Sequence, residues 1–242
     1  MKPEPLVIGH RGASAYEPEN TLRAFALAKK MGADGIELDV FRSRDGQVVV
    51  THDENTWRLT GQKHVVRKSS LAELRRLDFG KGEKIPTLED VFDNFGKRFS
   101  VINVEIKSTG IRTDGIEAAL TTVIKRHHME KRVLVSSFNP FNLRRFHKLM
   151  PKVRVGYLMC RETLKIVRTW TVVKALAPDT LNLDQNLWPL KTCQAFFAYP
   201  KVWVWTVNTP DAMQHFLKTG VAAMITNYPD KLRAMIQSQY GR

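Results

Sequence analysis

The sequence predicts an α/β chain folded as a (β/α)8 TIM barrel. Three observations carry that prediction: strand-like and helix-like stretches alternate along nearly the whole chain, eight such units can be counted, and reactive side chains gather where the strand-like runs end. Alternation of this kind calls for parallel strands joined by crossover helices, and eight units fit a closed barrel better than an open sheet.

The strand-like runs lie at 6–9, 35–41, 48–51, 100–106, 132–136, 153–158, 180–183, 201–207 and 223–226. Each is a short run, β-rich in composition. The run at 48–51 is one more than the barrel needs. If it pairs at the rim or extends the loop after the second strand, the barrel stands; as a full member it would make a nine-stranded open sheet. Amphipathic spacing predicts helices over 21–31, 71–77, 88–95, 114–128, 141–150, 162–176, 189–198, 211–219 and 231–239. Asn139-Pro140 and Thr209-Pro210 each offer a capping side chain followed by a proline whose missing N–H costs nothing in a first helical turn. Thr87-Leu88-Glu89-Asp90 reads as a capping box closed by Asp.

At 242 residues and 43% apolar content the chain can bury a sizeable core. No Pro/Ser-rich linker or composition shift divides it, so a single domain over 1–242 is expected. The start, MKPEPLVIGHRG, has no long apolar leader and no later run reaches membrane-spanning length, which predicts a soluble, cytoplasmic protein without stable membrane association. Cys160 and Cys193 are too few for a disulfide framework and read as reduced, packed thiols. The net charge of +14 favours anionic partners but selects none. Basic residues are scattered, with small groups at 125–132 and 144–148, so a solvated basic exterior is expected and nucleic acid is not.

In a barrel, the loops after the strands build the site. The first strand ends in His10-Arg11, the second in Glu37 and Asp39, the third in Glu105 and Lys107, and the extra run in His52-Asp53. Phe138 and Asn139, Asp184, Trp205 and Asn208, and Asn227 follow later strands. Side chains two apart share a strand face, so Glu37 with Asp39, and Glu105 with Lys107, project together. Taken singly these pairs read as solvated acids and a surface ion pair. Jointly, three inward carboxylates would repel one another unless a cation sat among them, and all-oxygen ligation suits one divalent cation, Mg2+ or Ca2+. His10 and His52 beside them are candidates for proton exchange near neutral pH. Trp205 and Phe138 read either as core aromatics or as surfaces against a substrate, whereas Asp184, His127, His128 and His147 read as structural or surface residues.

The strings GHRG (9–12), PENT (18–21), ELDV (37–40), THD (51–53) and EIK (105–107), followed by SSFN (136–139), WTVN (205–208) and ITNYPD (225–230), resemble the glycerophosphodiester phosphodiesterase family in content and order. The resemblance implies a phosphodiesterase barrel of the phospholipase C-like type, acting in lipid and glycerol metabolism. Such an enzyme hydrolyses a small-molecule glycerophosphodiester to glycerol 3-phosphate and an alcohol. It implies a divalent cation on Glu37, Asp39 and Glu105, acid/base work by His10 and His52, and phosphate contacts from Arg11 and Lys107. A cyclic phosphate intermediate, with His10 as first base and His52 as first acid, is the expected route. Where many relatives of this kind read Ile-Thr-Asp-Tyr-Pro, this chain has Asn227 and so lacks a negative charge after the eighth strand. The segment after His52 is short, which predicts an open mouth without a large cap, and no aromatic-rich amphipathic loop stands out near it. Monomer and homodimer are both compatible with the sequence. The alternatives are lysophospholipase D-like action on lipid diesters and a non-catalytic barrel that binds polyanions.

Overall fold

A computed structural model describes residues 4–107, 110, 112–162 and 170–241. Nine strands are described: β1 (Leu6–His10), β2 (Gly35–Arg42), β3 (Val48–Val50), β4 (Val101–Ile106), β5 (Val133–Ser137), β6 (Arg154–Met159), β7 (Thr180–Asp184), β8 (Val202–Trp205) and β9 (Ala223–Thr226). All except β3 pair in parallel, in the order β1-β2-β4-β5-β6-β7-β8-β9, and β9 returns to β1 to close the ring. The extra run is therefore not a barrel member. Strand β1 faces β2 only over Gly35 to Glu37; farther along, β3 lies antiparallel on β2, with Val40 opposite Val50. This edge strand extends the wall past the end of β1 and carries His52 to the mouth, where Thr51 N–H donates to the Asp39 carbonyl at 3.0 Å.

Helices α1 (Leu22–Lys30), α2 (Trp57–Thr60), α3 (Leu71–Leu74), α4 (Leu88–Phe95), α5 (Ile116–Arg126), α6 (Pro140–Leu149), α7 (Trp170–Leu176), α8 (Gln194–Phe197), α9 (Pro210–Thr219) and α10 (Pro229–Tyr240) fill the connections. The expected starts are realised in hydrogen bonds. Asn139 accepts from Phe141 N–H, Thr209 from Ala212 N–H, and Thr87 and Asp90 complete a reciprocal capping box. The helix expected over 162–176 lies partly outside the described residues, at 163–169. The helix expected over 189–198 is a short 3-10 turn at Lys191–Cys193 followed by the four residues of α8. Residues 201–207 do not form one strand, because pairing stops at Trp205.

The barrel strands are buried over most of their residues, and β4, β5 and β9 over all of them, since helices cover one face and the barrel interior the other. Ile8, Val101, Leu134, Trp203, Ala223 and Ile225 form an apolar cluster whose members lie on inward-facing strand positions. The stretch after β3 folds around its own small core, in which Val66, Leu74, Leu77, Phe79 and Ile85 pack with Phe41 and Val49. Among the described residues, no helix is long and apolar enough to cross a membrane.

Candidate active site

The β1–α1 turn sets one wall of the site. Arg11 and Asn20 both sit at positive φ, 54° and 59°, and Asn20 N–H donates to the Arg11 carbonyl at 3.0 Å. This folded turn aims polar groups back at β2. The Arg11 backbone N–H donates to Glu37 at 3.1 Å, and the Asn20 amide donates to Asp39 Oδ2 at 2.9 Å. Such strained backbone persists where the surroundings hold it, and here it serves the carboxylates.

Glu37, Asp39 and Glu105 converge at the mouth, with one ligand oxygen from each within 4.8 Å of the others, and all three side chains are buried. Lys107 Nζ lies 2.9 Å from Glu105 Oε1 and 3.5 Å from Asp39 Oδ1, while Arg11 Nε lies 3.2 Å from Asp39 Oδ2. Three carboxylates thus face two fixed cations. Burial opposes ionisation of Asp39, yet Lys107 and then Arg11 hold its carboxyl down at about 2. Burial, reinforced by Asp39, raises Glu105 to about 7 against the pull of Lys107. Glu37 has the least positive company: burial, then the charges of Asp39 and Glu105, push it well above the carboxylate range. A buried anionic set whose members resist ionising together fits a hard divalent cation, which would remove that repulsion through oxygen ligands.

The two histidines stand on either side. Imidazole Nδ1 of His10 is 2.7 Å from Asn227 Oδ1, and its Nε2 is 4.0 Å from Glu37 Oε2. Burial first and the Arg11 guanidinium second hold His10 down at about 4. His52 Nδ1 lies 2.7 Å from Asp53 Oδ1, and Asp53 in turn is clasped by Arg58 at 2.5 Å. Burial lowers the His52 imidazole, with Asp39 the strongest opposing charge. Arg58 also binds Glu19 at 2.7 Å, and Glu19 reaches Arg11 at 3.0 Å, so a chain of alternating charge joins the His52 loop to the β1–α1 turn.

A cavity of 160 Å³ opens between these groups, bounded by His10, Arg11, Glu37, His52, Glu105 and Lys107, with Asn103, Leu158 and Ile225 among its other walls. Phe138 and Trp205 line it as well, ring to ring at 5.6 Å and nearly perpendicular. Every residue singled out in the sequence as catalytic or substrate-binding lines this one cavity, as do Glu37 and Glu105; Asp39 stands beside them within the carboxylate cluster. Asp184 instead accepts from Asn186 N–H at the start of a 3-10 turn, and His127 packs edge-on against Phe92 beside Asp93.

Sequence reasoning missed Asn103, Asn20 and the bracing role of Arg58. Asn227 was noticed only as a missing charge. A signal existed for Asn103, which stands two residues before Glu105 and so shares its face. None existed for Asn227 as the partner of His10, because 217 residues separate them.

Fold and mouth together define a barrel hydrolase of the phosphodiesterase class. Within that class the chain belongs to the glycerophosphoryl diester phosphodiesterase family, whose sequence profile matches residues 10–231. It is 37% identical to a glycerophosphodiester phosphodiesterase of Caldanaerobacter subterraneus, over 96% of this chain and 98% of that protein. A glycerophosphodiester phosphodiesterase of Bacillus subtilis is 32% identical, with 93% of this chain and 84% of that protein covered. Among solved structures, an Oleispira antarctica phosphodiesterase in complex with the product sn-glycerol-3-phosphate superposes with a TM-score of 0.85 at 31% identity, covering 96% of this chain and 97% of that one.

Proposed function

We propose that the site hydrolyses glycerophosphodiesters to sn-glycerol 3-phosphate and an alcohol, using one divalent cation, Mg2+ or Ca2+, held by Glu37, Asp39 and Glu105. The observation that carries this reading is the convergence of those three carboxylates, within 4.8 Å of one another, at the cavity that Glu37 and Glu105 line together with His10 and His52. When bound, the cation would supply Lewis-acid stabilisation of charge developing on the phosphoryl oxygens. Arg11 and Lys107 supply fixed positive charge at the same mouth, suited to the phosphate.

The partners of the two histidines support an order of roles. Asn227 Oδ1 at His10 Nδ1 selects the tautomer whose Nε2 is unprotonated, and the depressed basicity keeps that ring neutral. His10 is the first base: Nε2 takes a proton from the glycerol hydroxyl beside the phosphodiester, and that oxygen bonds to phosphorus. The bond to the leaving alcohol breaks as His52 gives it a proton, with Asp53 at Nδ1 supporting the imidazolium. Water then opens the resulting cyclic phosphate with the roles exchanged. His10→Ala and His52→Ala should each lower kcat by roughly 10²-fold or more. Near-normal turnover by either variant, folded, would overturn the assignment. The reading places the enzyme in the cytoplasm, where a chain with two thiols keeps them reduced.

One observation favours a second substrate class. Trp57 and Phe141, in the first turns of α2 and α6 that follow β3 and β5, stand 62% and 48% exposed. Such rings suit the acyl chain of a lipid-bearing diester. Comparable kcat/KM for lysophosphatidylcholine and glycerophosphocholine would establish this class, and turnover of glycerophosphocholine alone would exclude it.

A further inference from the structure

We infer that Asn103 is a substrate-binding residue whose carboxamide takes the hydroxyl groups of the glycerol moiety; the inference rests on the proposed glycerophosphodiester hydrolysis. Asn103 lies on β4, opposite Glu37 in register, and the two-residue period that turns Glu105 into the barrel turns it inward as well. It lines the same cavity as His10, Glu37 and Glu105. Its exposure is 0%, and neither its Oδ1 nor its Nδ2 meets a hydrogen-bond partner. Buried amides are almost always paired, so two unpaired atoms on a cavity wall mark a group kept for something that enters the cavity.

The surroundings reinforce this. On the inward positions of neighbouring strands, Ser136 Oγ of β5 and Asn182 Nδ2 of β7 are also buried without a partner. Gly156 of β6 stands between them and adds no side chain; a Cβ there would lie 3.1 Å from Asn182 Nδ2. A polar layer therefore lies where barrel interiors usually stack branched aliphatic residues. Toward the N-terminal ends of the strands, Ile8, Val101, Leu134, Trp203 and Ala223 close the barrel with apolar contact, and toward the mouth come the charged groups. A neutral carboxamide offers both donors and an acceptor, which matches hydroxyl groups and gives no competing charge for the phosphate. The cavity of 160 Å³ has room for a small polyol, with Arg11 and Lys107 left to meet the anionic end.

The test is calorimetric binding of sn-glycerol 3-phosphate and of propyl phosphate, which lacks the hydroxyls, to wild type and Asn103→Leu with Mg2+ present. Wild type should prefer sn-glycerol 3-phosphate by roughly tenfold or more. Asn103→Leu should lose that preference, keep its affinity for propyl phosphate, and unfold at the same or a higher temperature, because an unpaired buried amide has gone. A merely structural Asn103 would give a lower unfolding temperature and an unchanged preference. A preference retained in folded Asn103→Leu, or in the smaller Asn103→Ala should the leucine variant not fold, overturns the inference. If wild type hydrolyses glycerophosphodiesters but does not distinguish the two phosphates, this inference alone fails. If wild type hydrolyses none, the functional reading fails and takes the inference with it.

Discussion

His10 and His52 carry the same imidazole in different company: a neutral amide oxygen at one Nδ1 and a carboxylate at the other. That asymmetry gives a prediction for Asn227→Asp. A carboxylate at position 227 favours the protonated His10, so the pKa of the proposed base rises and the acid limb of kcat/KM should move to higher pH. An unmoved limb would separate Asn227 from the proton chemistry. At this scale the charged groups and rings at strand ends were legible, because short strings name them, whereas the role of Arg58, on a short helix away from the strands, was not. The amides were not, since Asn20 and Asn227 gain their meaning only from Asp39 and His10, which the fold brings to them.

The β1–α1 turn is the element on which the site depends most directly. Gly12, at φ 86°, lies so close to α1 that a Cβ would fall 2.6 Å from the backbone of Ala24. Gly12→Ala should cost about 1–3 kcal/mol, from overpacking and a left-handed backbone that alanine resists. Urea denaturation measures this, and a midpoint equal to wild type would show that α1 can shift without cost. Long amphipathic helices and their capped starts were readable from pattern, because a 3.6-residue period and a capping side chain are local properties. Short pieces were not. Helix α2 has four residues, too few to show a period, and 189–198 breaks into a 3-10 turn and a single short helix. Whether β3 joined the barrel was also undecidable locally, since membership depended on where β1 stops along β2.

In a chain of net charge +14, Glu37, Asp39 and Glu105 form a buried acidic cluster, the one such cluster found among the described residues. Raised carboxylate pKa values make the metal-free fold bind protons more tightly than the unfolded chain. Their stabilising contribution is full below the ordinary Glu value of 4.5 and declines as pH rises, for Glu105 through about 7. Asp39 acts oppositely, but its contribution is lost only as pH falls toward about 2. A divalent cation requires the ionised carboxylates, so the gain in Tm from Mg2+ over EDTA should be larger at pH 8 than at pH 5. Equal gains at both pH values would mean that the cation binds elsewhere. Release of sn-glycerol 3-phosphate from glycerophosphocholine and glycerophosphoethanolamine, with EDTA, Mg2+ and Ca2+ in parallel and His52→Ala beside wild type, decides whether this barrel is a metal-dependent phosphodiesterase. Release that a divalent cation restores after EDTA and that the variant lacks is expected; release undiminished in EDTA, or by folded His52→Ala, would overturn the metal-dependent, histidine-assisted hydrolysis.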